Sequence, residues 1–261
     1  LSDVHCASYC VYDKTTGYIV ISMNPDDRIY PASMTKIMTC LLSLELLDTS
    51  TKLEVSPSAL AGLDADSSLM GVLEGEKVKV SELLYGLMLP SGNEAAEILA
   101  DHIAGSGPAF YEMMNDKARE LGAFNTNYVN ANGLFDENHY TTAYDMYLIA
   151  SYAMENETFA EIASAVSYTT EPTNKRENGY TWYNTNKMMN PQSEYYSSLI
   201  SGVKTGTLDE AGRCLITTAE KSGYQYMLVL MGADIYDATG VMLQTREDFI
   251  QTQQFYDWAF E

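Results

Sequence analysis

The chain has 261 residues, near the upper limit for one hydrophobic core, and its 46% apolar and 11% aromatic content excludes a disordered polypeptide. With 15 basic against 36 acidic residues the formal charge is −21, which repels nucleic acid and anionic membranes and argues against a polyanion-binding role. No stretch reaches the length of a membrane span, and the residues after Leu1 carry no signal-peptide pattern, so an exported form is expected to have lost its targeting segment already.

In chain order, Ser8 to Asp13 and Tyr18 to Met23 read as short strands joined by Lys14-Thr-Thr-Gly17, a hairpin with glycine at the turn. Pro31 suits a helix entrance, and SMTKIMTCLLSLELL, from Ser33 to Leu47, carries apolar side chains on nearly every face and predicts a buried helix. From about Pro57 to Asn156 the period is mainly helical, over Val80 to Leu89, Glu94 to Ile103, Pro108 to Leu121 and Thr142 to Met154, with glycine and asparagine turns between. Ser164 to Pro191, rich in Thr, Tyr and Asn, reads as irregular with short strands. Leu199 to Thr205, Arg213 to Ala219 and Tyr224 to Gly232 are strand candidates, with turns at Asp209-Glu-Ala-Gly212 and Lys221-Ser-Gly223. A closing helix is expected from about Val241 to Phe260.

Strands at both ends of the chain can pair into one antiparallel sheet only if the helical block is an insertion packed to one side. The expectation is therefore a single α+β domain over 1–261, with a five-stranded antiparallel sheet flanked by helices. A sheet lobe (1–50 and 165–261) and an inserted, mainly helical lobe (51–164) share a cleft, and Ser33 lies at it.

Chemistry enters at Ser33-Met-Thr-Lys36, because residues three apart on a helix share a face and the Lys36 amine can serve as base to the Ser33 hydroxyl. The pattern recurs at Ser201-Gly-Val-Lys204, so context must choose. Ser33 opens a buried helix, where free N–H groups favour negative charge on its oxygen and an apolar setting disfavours the charged amine. Ser201 and Lys204 fall in a loop passing into a strand, where residues three apart face opposite ways.

Ser91-Gly-Asn93 presents a hydroxyl and a carboxamide from a loop before a helical run, able to relay a proton and to grip a peptide carbonyl; capping or turn formation is the alternative. Lys204-Thr-Gly206 adds a positive charge that attracts a carboxylate, and a glycine that lets an extended peptide lie along the strand; an exposed lysine before a turn is its alternative. Cys6, Cys10, Cys40 and Cys214 are too sparse for a disulfide framework and are expected to be free, mostly buried thiols. His5 with Cys6 and Cys10 lacks a fourth metal ligand at a standard spacing. His102 and His139 have no G-x-S-x-G elbow beside them, so a Ser-His-Asp centre is not expected.

In this order the three motifs resemble those of the penicillin-recognising serine enzymes. The runs PASMTKIMT, SGNEAAEILA, MNDKARELGAFNTNYVNANGL, YTTAYDM and GVKTGTLDEAGRCLI are similar to one branch, the low-molecular-weight D-alanyl-D-alanine carboxypeptidases, and span nearly the whole chain. The resemblance implies a β-lactamase/transpeptidase-like fold and a monomeric, exported serine peptidase that trims peptidoglycan stem peptides ending in D-Ala-D-Ala. It implies no cofactor and no metal, and β-lactams as covalent inhibitors. It further implies that Ser33 is the nucleophile, Lys36 its base and Ser91 the relay to the leaving amine, with Asn93 holding the substrate amide. Backbone N–H groups of Ser33 and Thr207 would form the oxyanion hole; Lys204 and Thr205, helped by Arg246, would bind the terminal carboxylate or orient Ser91, and Gly206 would leave room for the substrate chain along the strand. Family members often carry threonine two positions after the K-T-G glycine, whereas Thr207 follows directly here and Leu208 comes next, which leaves open which hydroxyl meets the carboxylate. Many relatives continue into a β-rich domain and an amphipathic anchor; the expectation is a free catalytic domain or a sequence cut near Glu261. A class A β-lactamase shares the three motifs, but its E-x-x-L-N loop is absent from the sequence, so slow release of a bound penicillin is expected. A non-catalytic binder of wall peptides would need no nucleophile, and every candidate catalytic group is intact.

Overall fold

The computed structural model describes residues 4–63 and 67–261. β1 (Ser8–Asp13) and β2 (Ile19–Met23) form the expected hairpin, pairing Tyr9 with Met23 and Val11 with Ile21. A 3-10 turn at Ala32–Thr35 runs directly into α1 (Lys36–Leu46). There follow β3 (Lys52–Glu54), α2 (Pro57–Leu60), β4 (Lys77–Lys79), α3 (Val80–Met88), α4 (Asn93–Ala104), α5 (Gly107–Glu120), α6 (Ala143–Met154) and α7 (Glu157–Ser164). The chain then passes through β5 (Ser167–Thr169), β6 (Thr181–Tyr183) and a 3-10 turn at Lys187–Met189. It ends in β7 (Ile200–Leu208), β8 (Gly212–Lys221), β9 (Tyr224–Ala233) and α8 (Glu247–Ala259).

The fold is α+β around a five-stranded antiparallel sheet, as expected, in the order β2-β1-β9-β8-β7. The N-terminal hairpin thus joins the C-terminal strands through β1 and β9, where Cys10 pairs with Val229 and Tyr12 with Met227. Alternation along the strands sends side chains to two cores. Cys10, Tyr12, Ile216, Met227 and Val229 join the core built with the helices from α1 to α7, while Tyr9, Val11, Leu215, Leu228 and Leu230 pack with Phe249, Phe255 and Tyr256 of α8. Each fully buried apolar side chain of this size contributes roughly 1.5–3 kcal/mol, so both faces of the sheet are firmly held.

α1 is buried from Lys36 through Ser43, which is what its all-round apolar sequence requires. It packs among α3, α4, α5, α6 and α7. The lysine at its start is therefore carried into the middle of the protein.

Three regions differ from the sequence reading. Asn156 starts α7 instead of ending the helical block, because its side chain accepts from the Phe159 N–H at 3.1 Å and so acts as an N-cap. β3 and β4 pair over three residues each, Lys52 with Lys79 through Glu54 with Lys77, too short to show a period. The last helix begins at Glu247 and not near Val241. Leu243 N–H bonds to the Ile235 carbonyl at 2.8 Å, and the buried Arg213 guanidinium donates to the carbonyls of Thr245 and Leu243 at 2.6 and 3.4 Å. Those backbone groups are occupied outside a helix, so the helix starts after them.

Candidate active site

Ser33 and Lys36 meet because the helix opens with a 3-10 turn, whose three residues per turn place side chains i and i+3 directly above one another. Lys36 Nζ donates to Ser33 Oγ at 3.1 Å, to Asn93 Oδ1 at 2.7 Å and to the Asn132 carbonyl at 2.5 Å. Ser33 is half-buried and Lys36 fully buried. Burial, and then the positive charge of Lys204, hold the Lys36 amine well below the ordinary lysine value, with Glu94 and Glu97 acting in the opposite direction. Donation to all three oxygens needs the ammonium form; once the disfavoured charge is given up, two N–H groups remain for Asn93 and Asn132 and the lone pair faces Ser33, the arrangement a general base needs.

The second Ser-x-x-Lys copy is divided. Ser201 Oγ donates to Ser164 Oγ at 2.9 Å, while Lys204 Nζ donates to Ser91 Oγ at 3.1 Å and to the Thr205 carbonyl at 3.0 Å. Burial alone pushes the Lys204 amine down to about 7. Ser91 reaches it from a left-handed backbone conformation, φ +67°, uncommon for a residue with a side chain and of a kind that clusters at functional sites. Asn93, two residues on, opens α4 and turns its amide oxygen to Lys36. Two serine–lysine pairs therefore face each other, one where the 3-10 turn enters α1, the other bridging the Ser91 loop to β7.

β7 is one of the two outer strands of the sheet, and its Gly206 lies against the nucleophile's backbone: a Cβ added there would stand 3.1 Å from Ser33 N. Thr205 is buried with its hydroxyl on that of Thr185, at 2.6 Å, whereas the next residue after the glycine, Thr207, is exposed. Of the two hydroxyls, Thr207 is the one open to solvent. Arg246 is not brought to this cluster. Its guanidinium is bidentate on Asp248, at 2.9 and 2.6 Å, and stacks 4.1 Å above the Phe249 ring, with both partners in α8.

Several contributors had no motif to announce them. Asn132 offers Lys36 a backbone carbonyl, which leaves no mark on residue type; the Asn-Ala-Asn-Gly run around it was the available signal. Gly133, at φ +91°, packs on the carbonyl of Ala32. Thr35 donates to the Ala32 carbonyl at 2.9 Å and contacts His139 Nε2 at 2.7 Å. Since His139 Nδ1 accepts from the Val129 N–H at 3.1 Å, the ring is the neutral Nε2–H tautomer and braces the 3-10 turn without touching Ser33.

Burial pushes His139 down from 6.5 to about 4. The sign is that of a depressed base: above pH 6.5 folded and unfolded states both hold a neutral ring, and between about 6.5 and 4 only the unfolded state takes the proton. Stability is expected to fall across that window. The wild-type thermal midpoint should fall more steeply between about pH 6.5 and 4 than that of His139→Asn, which keeps an acceptor for Val129 but does not titrate there; parallel curves would exclude His139 as the source.

Cysteine and metal chemistry are not drawn into the cluster. All four thiols are free, Cys10, Cys40 and Cys214 are buried, and burial pushes Cys6 and Cys214 up to about 12. Among the described residues no group of three His, Cys, Asp or Glu side chains is arranged to hold a metal ion.

Fold and constellation define the class: a β-lactamase/transpeptidase-like α+β protein with a serine–lysine centre set against the edge strand of its sheet. A model of the D-alanyl-D-alanine carboxypeptidase family, peptidase S11, matches residues 1–235, and the chain belongs to that family. It is 34% identical over 250 residues to the D-alanyl-D-alanine carboxypeptidase DacF of Bacillus subtilis, covering 94% of this chain and 62% of that one. DacA of Haemophilus influenzae is 30% identical over 97% of this chain and 61% of its own, so the chain spans about three fifths of these relatives. A D-alanyl-D-alanine carboxypeptidase of Streptomyces sp. strain K15 is 34% identical over 80% of this chain and 74% of that one. Among solved structures, a variant of the Streptomyces K15 DD-transpeptidase superposes with a TM-score of 0.87 at 29% identity, covering 99% of this chain and 100% of that one. Penicillin binding protein 5 from Haemophilus influenzae gives 0.84 at 28% identity, over 100% of this chain and 72% of that one.

Proposed function

We propose that the chain is a serine-type D-Ala-D-Ala carboxypeptidase that removes the terminal D-alanine from peptidoglycan stem peptides through an acyl-enzyme on Ser33, and that β-lactams acylate the same residue. The observation that carries this reading is the pair of buried lysines, each 3.1 Å from a serine hydroxyl, on opposite walls of one cluster. Neutral Lys36 takes the Ser33 proton as Oγ attacks the carbonyl between the two D-alanines. The developing oxyanion is received by the N–H groups of Ser33 and Thr207, with Asn93 steadying the substrate amide. The C–N bond breaks as Ser91 relays to the departing D-alanine nitrogen the proton that Lys36 took, which leaves Ser91 protonated and Lys36 neutral again. Water then cleaves the ester, returning the proton to Ser33. Lys204, with Thr205 and Thr207, receives the substrate's terminal carboxylate, and the absence of side-chain atoms at Gly206 leaves room for the peptide backbone along β7. Arg246 joins them only if its ion pair with Asp248 opens.

In this reading residues 51–164 form the inserted lobe above a sheet lobe of 1–50 and 165–261. The protein works as an exported monomer on the cell-wall side of the membrane, in wall biogenesis and cell shape. That no described helix is long and apolar enough to cross a membrane is compatible with such a placement.

The test is D-alanine release from a peptide ending in D-Ala-D-Ala, together with the lifetime of the penicillin adduct. The expected result is steady release, blocked by prior incubation with penicillin, and an adduct that persists for minutes or longer. Penicillin turnover at many per second would favour a class A-like β-lactamase. Acylation without any peptide cleavage would leave only a wall-peptide binder.

A further inference from the structure

Three residues after Glu94, and on the same side of α4, stands a second acidic residue that no catalytic motif contains. Glu97 is half-buried and its Oε1 accepts from Asn132 Nδ2 at 2.7 Å. The backbone carbonyl of that same Asn132 takes the shortest of the three hydrogen bonds from Lys36 Nζ, at 2.5 Å. Asn132 is buried, and its remaining side-chain atom, Oδ1, accepts from the Leu134 N–H at 2.8 Å. The asparagine is thereby held at both ends, and the loop that carries it is held from α4.

We propose that Glu97 is a positioning residue for acylation: through the Asn132 amide it fixes the Asn132 carbonyl against Lys36, and it supplies a carboxylate that faces this amine. The proposal rests on the reading of Lys36 as the base. Its first part is geometric. A carbonyl held at 2.5 Å directs one N–H of Lys36 and so helps aim the lone pair at Ser33.

The second part is electrostatic. The charged or titratable groups that face Lys36 are Glu94 and Glu97 from α4, Lys204 from β7, and His139 from the loop before α6. Lys204 and burial disfavour the ammonium form, whereas the two carboxylates favour it. Glu94 is committed elsewhere. One of its oxygens accepts from the Gly71 N–H at 2.7 Å, the other is buried with no hydrogen-bond partner among the described residues, and burial raises it above an ordinary glutamate. Glu97 has an amide donor and partial access to solvent, which help it stay ionised, although burial first and Asp101 one turn away second raise it above an ordinary glutamate. Its other titratable neighbour is Tyr111 of α5.

The experiment compares the acylation rate by a penicillin across a pH series for wild type, Glu97→Gln, Glu97→Ala, Asn132→Ala and the double alanine variant, each checked for an unchanged thermal midpoint. Glu97→Gln keeps an acceptor for Asn132 and removes only the charge, so the acid limb of the profile should move to lower pH by roughly half a unit, because Lys36 gives up its proton more readily. Glu97→Ala and Asn132→Ala should each slow acylation by roughly tenfold or more, and the double variant should be no slower than the worse single one, since both act through one contact. An unmoved acid limb in Glu97→Gln, or additive losses in the double variant, would overturn the proposal. Lys36→Ala separates this from the underlying reading: undiminished acylation there removes Lys36 as base, whereas its loss together with an unmoved Glu97→Gln profile removes Glu97 alone.

Discussion

Intact-mass measurement after incubation with a penicillin is expected to show one drug molecule added to the wild-type chain and none to Ser33→Ala. The expectation follows from what each nucleophile in the cluster has beside it. Ser33 is half-exposed and accepts a hydrogen bond from an amine whose charged form is opposed by burial and by Lys204. Ser91 is buried where Ser33 is half-open to solvent, and it accepts from Lys204 at 3.1 Å deep in the cluster. The buried thiols are pushed far from ionisation. Removing the base instead of the nucleophile should be less complete: Lys36→Ala keeps the hydroxyl and its backbone setting, and acylation should slow by roughly a hundred- to ten-thousandfold, the range over which general-base catalysis acts. A drug-sized mass gain in Ser33→Ala would move the nucleophile elsewhere. Full-rate acylation in Lys36→Ala would leave the centre without an identified base.

Much of this centre was legible before any coordinates, for a reason that differs from residue to residue. The strands and the long helices announce themselves because their periods are set by burial, and α1 does so by having no polar face at all. Ser33, Lys36, Ser91 and Lys204 could be singled out because their side chains carry the chemistry, so residue type is itself the signal. What sequence could not show falls into two kinds. Asn132 contributes through a carbonyl that any residue possesses, so only the path of the chain reveals it. Glu97 and Arg246 show that a charged side chain can be read either way: Glu97 looks like an exposed helix residue yet bonds to the Lys36 support, while Arg246 suits a carboxylate but is taken by Asp248. The α8 boundary is hidden for a related reason, since the carbonyls that Arg213 captures lie 30 and 32 residues away along the chain.

The second large effect concerns a residue with no side chain. Gly133→Ala is expected to cost roughly 3 kcal/mol of stability and to slow acylation about a hundredfold. At φ +91° alanine is already strained, and a Cβ there would stand 2.0 Å from the Ala32 carbonyl oxygen, 2.5 Å from its carbon and 3.0 Å from Ser33 N. The opposing backbone has little freedom to withdraw. Ala32 is itself left-handed at φ +48°, and Gly206 of β7 approaches the same peptide from another side, where an added Cβ would lie 3.0 Å from Ala32 Cβ and 3.1 Å from Ser33 N. The peptide before the nucleophile is thus clamped between two glycines, and Gly133 is itself tied down by its N–H donating to Asn130 Oδ1 at 2.7 Å. Any relief must displace Ser33, and with it the N–H proposed for the oxyanion hole. Gly17→Ala is the control, because Gly17 also has positive φ, at +72°, but an added Cβ would meet nothing within 4 Å. It should lose only about 1 kcal/mol and keep the wild-type acylation rate. If denaturant unfolding and penicillin acylation were impaired equally in the two variants, backbone strain alone would explain both, and the clamp on Ser33 would have to be abandoned.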